Sequence, residues 1–166
     1  MSKNSFLVIF LLISFQTSSN DVSIEIDISE QRLYLIEGLD IQASYAVSTS
    51  KYGEGSIENS FKTPLGYHVI KEKIGEGAKK NTIFKSRINT RRSADIIEEY
   101  HDSEDDFVTS RIMWLDGKEE GKNKGGSVDS FARYIYIHGT HEEGLIGTKA
   151  KTYFSKGFDY PSFYLI

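Results

Sequence analysis

The residues best suited to chemistry lie in one short segment, residues 134–140, which reads Tyr-Ile-Tyr-Ile-His-Gly-Thr. Aromatic and aliphatic residues alternate up to His138, which is typical of a β-strand that ends at a histidine. An imidazole can take the proton of a neighbouring nucleophile, and backbone amides can stabilise an oxyanion. Gly139 favours such a role for the backbone because a chain without a side chain can approach a ligand closely. The segment therefore predicts a functional site centred on His138.

The nucleophile that an imidazole most readily activates is missing, because the 166 residues contain no cysteine. Thiol chemistry, a disulfide framework and a lipoprotein anchor are therefore excluded for this chain. Ser155 lies seventeen positions after His138, and a histidine can activate a serine when the geometry allows. Distance along the sequence does not establish that geometry, so we interpret Ser155 as a loop hydroxyl.

Residues 138–143 also carry imidazoles and carboxylates that could bind zinc. His138 and His141 are three positions apart at a strand end, however, and lack the helical spacing that brings two ligands together. No third ligand is fixed by spacing. We therefore predict no metal site, and a metal-dependent hydrolase is kept only as an alternative function.

The remaining polar residues have structural interpretations. His68 lies in a predicted strand and is interpreted as a half-exposed sheet residue. The acidic stretch 102–106 is interpreted as a solvated loop, since no EF-hand spacing appears. Trp114 and Tyr136 are assigned to the core. Three arginines are interpreted as an exposed basic edge, with contacts to substrate carboxylates as the alternative: Arg87, Arg91 and Arg92.

The elements that must position His138 are mostly strands. Residues 24–28 and 32–35 alternate apolar and polar side chains, and predict a hairpin that turns near Ser29 and Glu30. Residues 94–100 have the look of a short helix. Short strands with turn residues between them favour a sandwich or a small barrel. Further strands are predicted at residues 45–48, 67–71, 107–115 and 134–138.

The beginning of the chain has the layout of a signal peptide. Lys3 precedes an apolar run over residues 6–13, and a short polar stretch follows. We predict that residues 1–19 direct export, with an uncleaved N-terminal anchor as the alternative and as the means of any membrane attachment. The remaining residues, about 145, suffice for one domain. Twenty basic residues against twenty-four acidic ones give no basic stripe, so nucleic acid is not a predicted partner.

Several landmarks, in order, resemble the L,D-transpeptidase (YkuD-type) family over residues 22–150. The family's opening hairpin resembles residues 26–34, and its next landmarks resemble residues 45–50 and 62–66. Residues 109–126 resemble the segment before the family's histidine strand, and residues 134–147 resemble that strand and its continuation.

The resemblance implies a fold, a reaction and a location. The fold would be a mainly β, antiparallel β-sandwich with one or two short helices. The reaction would be acyl transfer on a peptidoglycan stem tetrapeptide through a cysteine thioester, without a metal or an organic cofactor. His138 would be the general base, Gly139 and Thr140 would bind substrate, and His68 would lie near the cleft. The protein would be exported to the periplasm or cell envelope, with peptidoglycan stem peptides as partners.

The resemblance ends near Ala150, before the family's Ser/Thr-His-Gly-Cys-x-Arg pattern. Residues 151–154 show no identity to that pattern, and at a longer spacing Phe158 occupies the cysteine position. We therefore expect a domain at residues 22–150 that is incomplete at its C-terminal end, with a divergent aromatic tail at residues 151–166. A frameshift or truncation would explain the loss, and a non-catalytic pseudoenzyme that binds stem peptides is the alternative. Reading the other two frames of the DNA after codon 150 distinguishes them.

Overall fold

A computed structural model of the chain describes residues 21–148. Over this range the protein consists mainly of β-strands arranged in two antiparallel sheets, which confirms the predicted fold class. The first sheet has the order β1-β2-β3, and the second is built around β7. The strands are β1 (Val22–Asp27), β2 (Arg32–Glu37), β3 (Asp40–Ala46), β4 (His68–Ile74), β5 (Thr82–Lys85), β6 (Ile88–Ser93), β7 (Val108–Gly117) and β8 (Tyr136–Gly139).

The first sheet begins with the predicted hairpin. β1 pairs antiparallel with β2, from Asp27 opposite Arg32 onward. The Asp27 carboxylate closes the turn, because its Oδ1 accepts hydrogen bonds from the backbone N–H groups of Ser29 at 2.7 Å and Glu30 at 2.9 Å. β3 then pairs with the other edge of β2.

The second sheet is organised around β7, which is ten residues long. β4 and β5 pair with successive parts of β7, and β8 pairs with its middle. Thr109 has partners in both β5 and β8, and Ile112 has partners in both β4 and β8. Because a strand has only two edges, β8 lies on one edge of β7, and β4 and β5 share the other.

The two faces of the second sheet bury different side chains. On one face a cluster of Leu115, Ile135 and Ile137 packs against Ile26 of the first sheet, as in a sandwich. The other face carries an aromatic cluster. Side chains alternate between faces along a strand, so His138 lies on the same face as Tyr136, away from the first sheet. The aromatic cluster comprises Phe84, Ile112, Trp114 and Tyr136, with both predicted core aromatics, Trp114 and Tyr136, only 8% exposed.

Two predicted elements differ from the structure, and one hairpin is missing from the prediction. The predicted helix at residues 94–100 is wrong, since this segment is irregular. Within residues 21–148, two short 3₁₀ helices occur elsewhere instead, at Gly126–Val128 and Glu143–Leu145. The strand predicted at residues 45–48 ends at Ala46, where β3 finishes. The hairpin of β5 and β6 was not predicted.

Several predictions fall on residues outside the described range. These are the signal peptide at residues 1–19, the aromatic tail at residues 151–166 and the hydroxyl of Ser155. No helix within residues 21–148 is long and apolar enough to cross a membrane.

Candidate functional site at the end of β8

His138 lies near the end of β8, opposite an irregular part of β7. Its partner in the ladder is Ile112, whereas the next residue, Gly139, already pairs with Thr109. The register therefore shifts between Thr109 and Ile112, where Ser110 adopts a positive φ of 61°. Such bulges redirect side chains and often accompany functional sites.

The environment of His138 fixes its protonation state. The side chain is buried, and Nδ1 lies 2.7 Å from the backbone carbonyl oxygen of Gly139. A carbonyl only accepts hydrogen bonds, so Nδ1 carries the proton and the lone pair belongs to Nε2. Burial lowers the pKa of His138 to about 4, although the hydrogen bond to Gly139 acts in the opposite direction. The imidazole is therefore neutral at physiological pH and can accept a proton at Nε2.

Gly139 and Thr140 lie directly beside this imidazole. Gly139 provides the carbonyl that orients the ring. Thr140 is fully buried, and its hydroxyl oxygen accepts a long hydrogen bond of 3.4 Å from the backbone N–H of Glu142. These contacts shape the turn after β8. Binding of a substrate by the two residues stays a prediction.

A strap formed by residues 97–106 covers this turn. The backbone N–H of Ile97 donates to the carbonyl of His141 at 2.8 Å, and Gly144 N–H donates to the carbonyl of Ile97 at 3.0 Å. The approach is so close that a Cβ atom on Gly144 would lie 1.9 Å from the carbonyl oxygen of Glu99. Gly144 is therefore required for the strap to lie across the turn.

The second half of the strap is attached through polar side chains. Both the backbone N–H and the hydroxyl of Ser103 donate to Glu142 Oε1, at 2.7 and 2.6 Å. Ser103 Oγ also lies 3.2 Å from His141 Nε2, and the His141 ring lies 4.8 Å from that of Phe107. Burial, followed by the neighbouring charge of Glu142, raises the pKa of Asp106 to about 6. The prediction of a solvated loop holds for Asp102, Glu104 and Asp105, which are exposed, whereas Ser103 binds Glu142 and Asp106 is half-buried.

His68 lies in a different part of the sheet from His138. It pairs with Gly117, five residues along β7 from the partner of His138, which corresponds to a separation of about 17 Å along the strand. It also lies on the opposite edge of β7. Its Nε2 lies 2.8 Å from Ser130 Oγ and its Nδ1 lies 2.9 Å from the carbonyl of Gly66. The structure therefore does not bring His68 next to His138, and contact between His68 and a substrate stays a prediction.

Two features of this region were not found in the sequence. The contact between Ser103 and Glu142 joins residues that are 39 positions apart, and no local pattern indicates such a pair. The position of Arg87 against the aromatic face of the sheet is the second. As for metal ligands, no group of three His, Cys, Asp or Glu side chains within residues 21–148 is arranged to hold an ion.

Comparison with known proteins adds one match. The family model described as the L,D-transpeptidase catalytic domain (YkuD) matches residues 21–157, which is more than half of the 166-residue chain. The matched range contains both sheets and His138. No curated protein matches the chain, and no solved structure does.

Proposed function

Because the chain belongs to the L,D-transpeptidase family, we propose that it recognises peptidoglycan stem peptides at the end of β8. The observation that carries this proposal is the state of His138, a buried, neutral imidazole whose Nδ1 is bound to Gly139 and whose Nε2 holds the lone pair. An imidazole in this tautomer can accept a proton or a hydrogen bond from a group placed beside it. This is the role of general base proposed here for His138.

We also propose that this chain is catalytically inactive, because the nucleophilic cysteine is missing. Cysteine acyl transfer forms a thioester between the enzyme and the peptide, and the terminal D-amino acid leaves in that step. The chain contains no cysteine, so no thiol is available to form the thioester bond. A base without a nucleophile leaves binding as the remaining activity. The protein then holds a stem peptide without turning it over.

The proposal also includes a location. Residues 1–19 combine a basic residue, an apolar run and a short polar stretch. We propose that they direct the domain to the periplasm or cell envelope, where peptidoglycan is found. Fractionation of cells that express an epitope-tagged chain tests this, since export places the tagged protein outside the cytosol. Recovery of full-length protein only in the cytosol would contradict it.

Binding and turnover assays with the purified protein test recognition and inactivity separately. Sedimentation with isolated peptidoglycan sacculi and titration with a stem tetrapeptide measure binding. Incubation with a tetrapeptide that ends in D-alanine, together with an amine acceptor, measures turnover. We expect binding of the sacculi and of the tetrapeptide, and no release of D-alanine above the rate without protein.

A tetrapeptide of the same composition made only from L-residues is the matched control for binding. Equal affinity for both peptides would argue against a site built for stem peptides. Failure to bind either the tetrapeptide or the sacculi would contradict the proposed recognition, whereas release of D-alanine would contradict the proposed inactivity.

A further inference from the structure

The turn between β5 and β6 has an unfavourable backbone conformation. Lys85 pairs with Ile88, so the two residues between them, Ser86 and Arg87, form a two-residue hairpin loop. Both have positive φ angles, 47° and 67°. Such a loop favours asparagine and glycine, because residues with larger side chains are disfavoured in the left-handed region. The presence of arginine at this position therefore indicates that its side chain has a function outside the turn.

The side chain of Arg87 is held in place by three aromatic residues. Its Cζ lies 4.7 Å from the centroid of the Trp114 ring and 4.9 Å from that of Tyr134. Its Nη1 donates a hydrogen bond to the hydroxyl oxygen of Tyr136 at 3.0 Å. A guanidinium has five N–H donors, so most of its hydrogen-bonding capacity is left over. We call Arg87, Trp114, Tyr134 and Tyr136 the arginine cradle.

The charge of the cradle is not balanced by a close carboxylate. Among residues 21–148, no Asp or Glu oxygen lies within 4.0 Å of the Arg87 guanidinium. The hydrogen bond with Tyr136, more than the distant charge of Glu72, keeps the pKa of Arg87 above its ordinary value. A second cation lies nearby, since Lys71 Nζ is 3.8 Å from the centroid of Phe131, which stacks on Trp114 at 4.0 Å. This surface is therefore suited to binding an anion, because it carries two cations and Arg87 has no close carboxylate.

The cradle lies on the same face of the sheet as His138. Every second residue of this segment is Tyr134, Tyr136 or His138. The ring centroids of Tyr136 and His138 lie 6.5 Å apart, with the rings edge to face. Tyr134 itself lies in a turn with a positive φ of 61°, and the extended chain of β8 begins at Tyr136. Arg87 Nη1 lies 3.0 Å from the hydroxyl of Tyr136, the neighbour of His138 on this face, whereas four residues of an extended peptide span about 13 Å. A tetrapeptide lying along β8 can therefore reach from His138 to Arg87.

We infer that the arginine cradle binds a carboxylate of a peptide whose other end lies at His138. The inference rests on the proposed recognition of stem peptides, to which it adds a second contact point and a chemical preference. A planar guanidinium suits a carboxylate because it can form two parallel hydrogen bonds with it. The aromatic rings hold the guanidinium in position before the ligand arrives, so less side-chain entropy is lost on binding.

Intrinsic fluorescence provides a direct assay, because Trp114 is the single tryptophan of the chain. The titration compares a stem tetrapeptide with the same peptide whose carboxylates are converted to primary amides. We expect about tenfold tighter binding of the free carboxylate form, as expected for hydrogen bonds to a charged group. Arg87→Gly should remove this preference. Glycine accepts a positive φ without strain, so the variant is expected to fold.

Arg91→Gly is the matched control. Arg91 is an exposed arginine of β6 with a positive φ of 61°, and its replacement changes charge and backbone in the same way without touching the cradle. The control should keep the tenfold preference. If Arg87→Gly keeps it as well, or if Arg91→Gly loses it equally, the inference is wrong.

A titration with glutarate, a simple dicarboxylate, separates this inference from the proposed function. A fluorescence change with glutarate in the wild type and Arg91→Gly, but not in Arg87→Gly, supports the carboxylate site whatever the peptides do. If the peptides then fail to bind, the proposed recognition of stem peptides is wrong while the carboxylate site stands. The absence of any glutarate response in the wild type would overturn the inference.

Discussion

Replacement of His138 by glutamine should change how the stability of the protein depends on pH. The pKa of His138 is about 4 in the folded protein, against about 6.5 in an unfolded chain. As the pH falls below about 6.5, His138 becomes protonated in the unfolded chain but stays neutral in the folded protein. The free energy of unfolding therefore decreases until the pH reaches about 4. The difference of about 2.5 pKa units corresponds to about 3 kcal/mol.

Asp106 acts in the opposite direction over part of the same range. Its pKa is raised to about 6 in the folded protein, so its contribution is present below about pH 4 and is lost as the pH rises through 6. Asp106 is only half-buried, so we expect about 1 kcal/mol from it after solvent screening. The pH dependence of the wild type alone therefore mixes two opposing effects.

The difference between wild type and His138→Gln isolates the histidine. Urea denaturation at pH 7.5, 6.5, 5.5 and 4.5 gives the free energy of unfolding of each protein. Glutamine does not titrate, so the wild type should lose stability relative to the variant by about 2–3 kcal/mol between pH 7.5 and 4.5. Whatever the variant costs at neutral pH cancels in this comparison. Two curves that stay parallel within about 0.5 kcal/mol would refute a buried, neutral His138.

Two further predictions concern the strap over residues 139–145. Gly144→Ala should lower the free energy of unfolding by about 3 kcal/mol, from overpacking against Glu99 and the weakening of two backbone hydrogen bonds. Thermal denaturation should show a fall in Tm of about 10 °C. The control Gly147→Ala, with open space around its Cβ, should lose only about 1 kcal/mol because of its positive φ. Equal losses in the two variants would contradict the close approach of Gly144 to Glu99. The variant Asp106→Asn should gain more stability over the wild type at pH 7.5 than at pH 4.5, because asparagine carries no partly buried charge. A urea series in which the gain is the same at both pH values would contradict the raised pKa.

The sequence was sufficient to predict the strands that alternate clearly. The hairpin of β1 and β2 has apolar residues at every second position and a turn closed by Asp27. β7 and β8 were found for the same reason. The hairpin of β5 and β6 was missed because Thr82, Ile83 and Phe84 are all buried, and β6 is polar and mostly exposed. Short strands of these two kinds carry no period of two.

The helix predicted at residues 94–100 does not form because of a tertiary contact. Residues 94–100 have apolar positions that suit one face of a helix, yet Ile97 uses its backbone N–H and C=O to pair with His141 and Gly144. Those hydrogen bonds replace the ones that a helix would supply. They depend on the absence of a side chain at Gly144, about 45 residues later in the chain, and no local pattern reports such a contact.

The candidate site was predicted only in part. The position of His138 at a strand end followed from alternation and from the neighbouring glycine. Its tautomer and the depth of its burial depend on the carbonyl of Gly139 and on packing, which the sequence does not reveal. The sequence predicts Arg87 as part of an exposed basic edge, because the turn that places it against Trp114 lies in the β5–β6 hairpin, which the sequence does not predict.

We propose that His138 is the base of an acyl transferase in a chain that lacks the nucleophile. The intact mass of the purified protein, measured after incubation with a stem tetrapeptide, tests this proposal. We predict an unchanged mass, because no residue of the chain can form the thioester. A mass increase equal to the tetrapeptide less its terminal D-amino acid, present in the wild type and absent in His138→Gln, would contradict it.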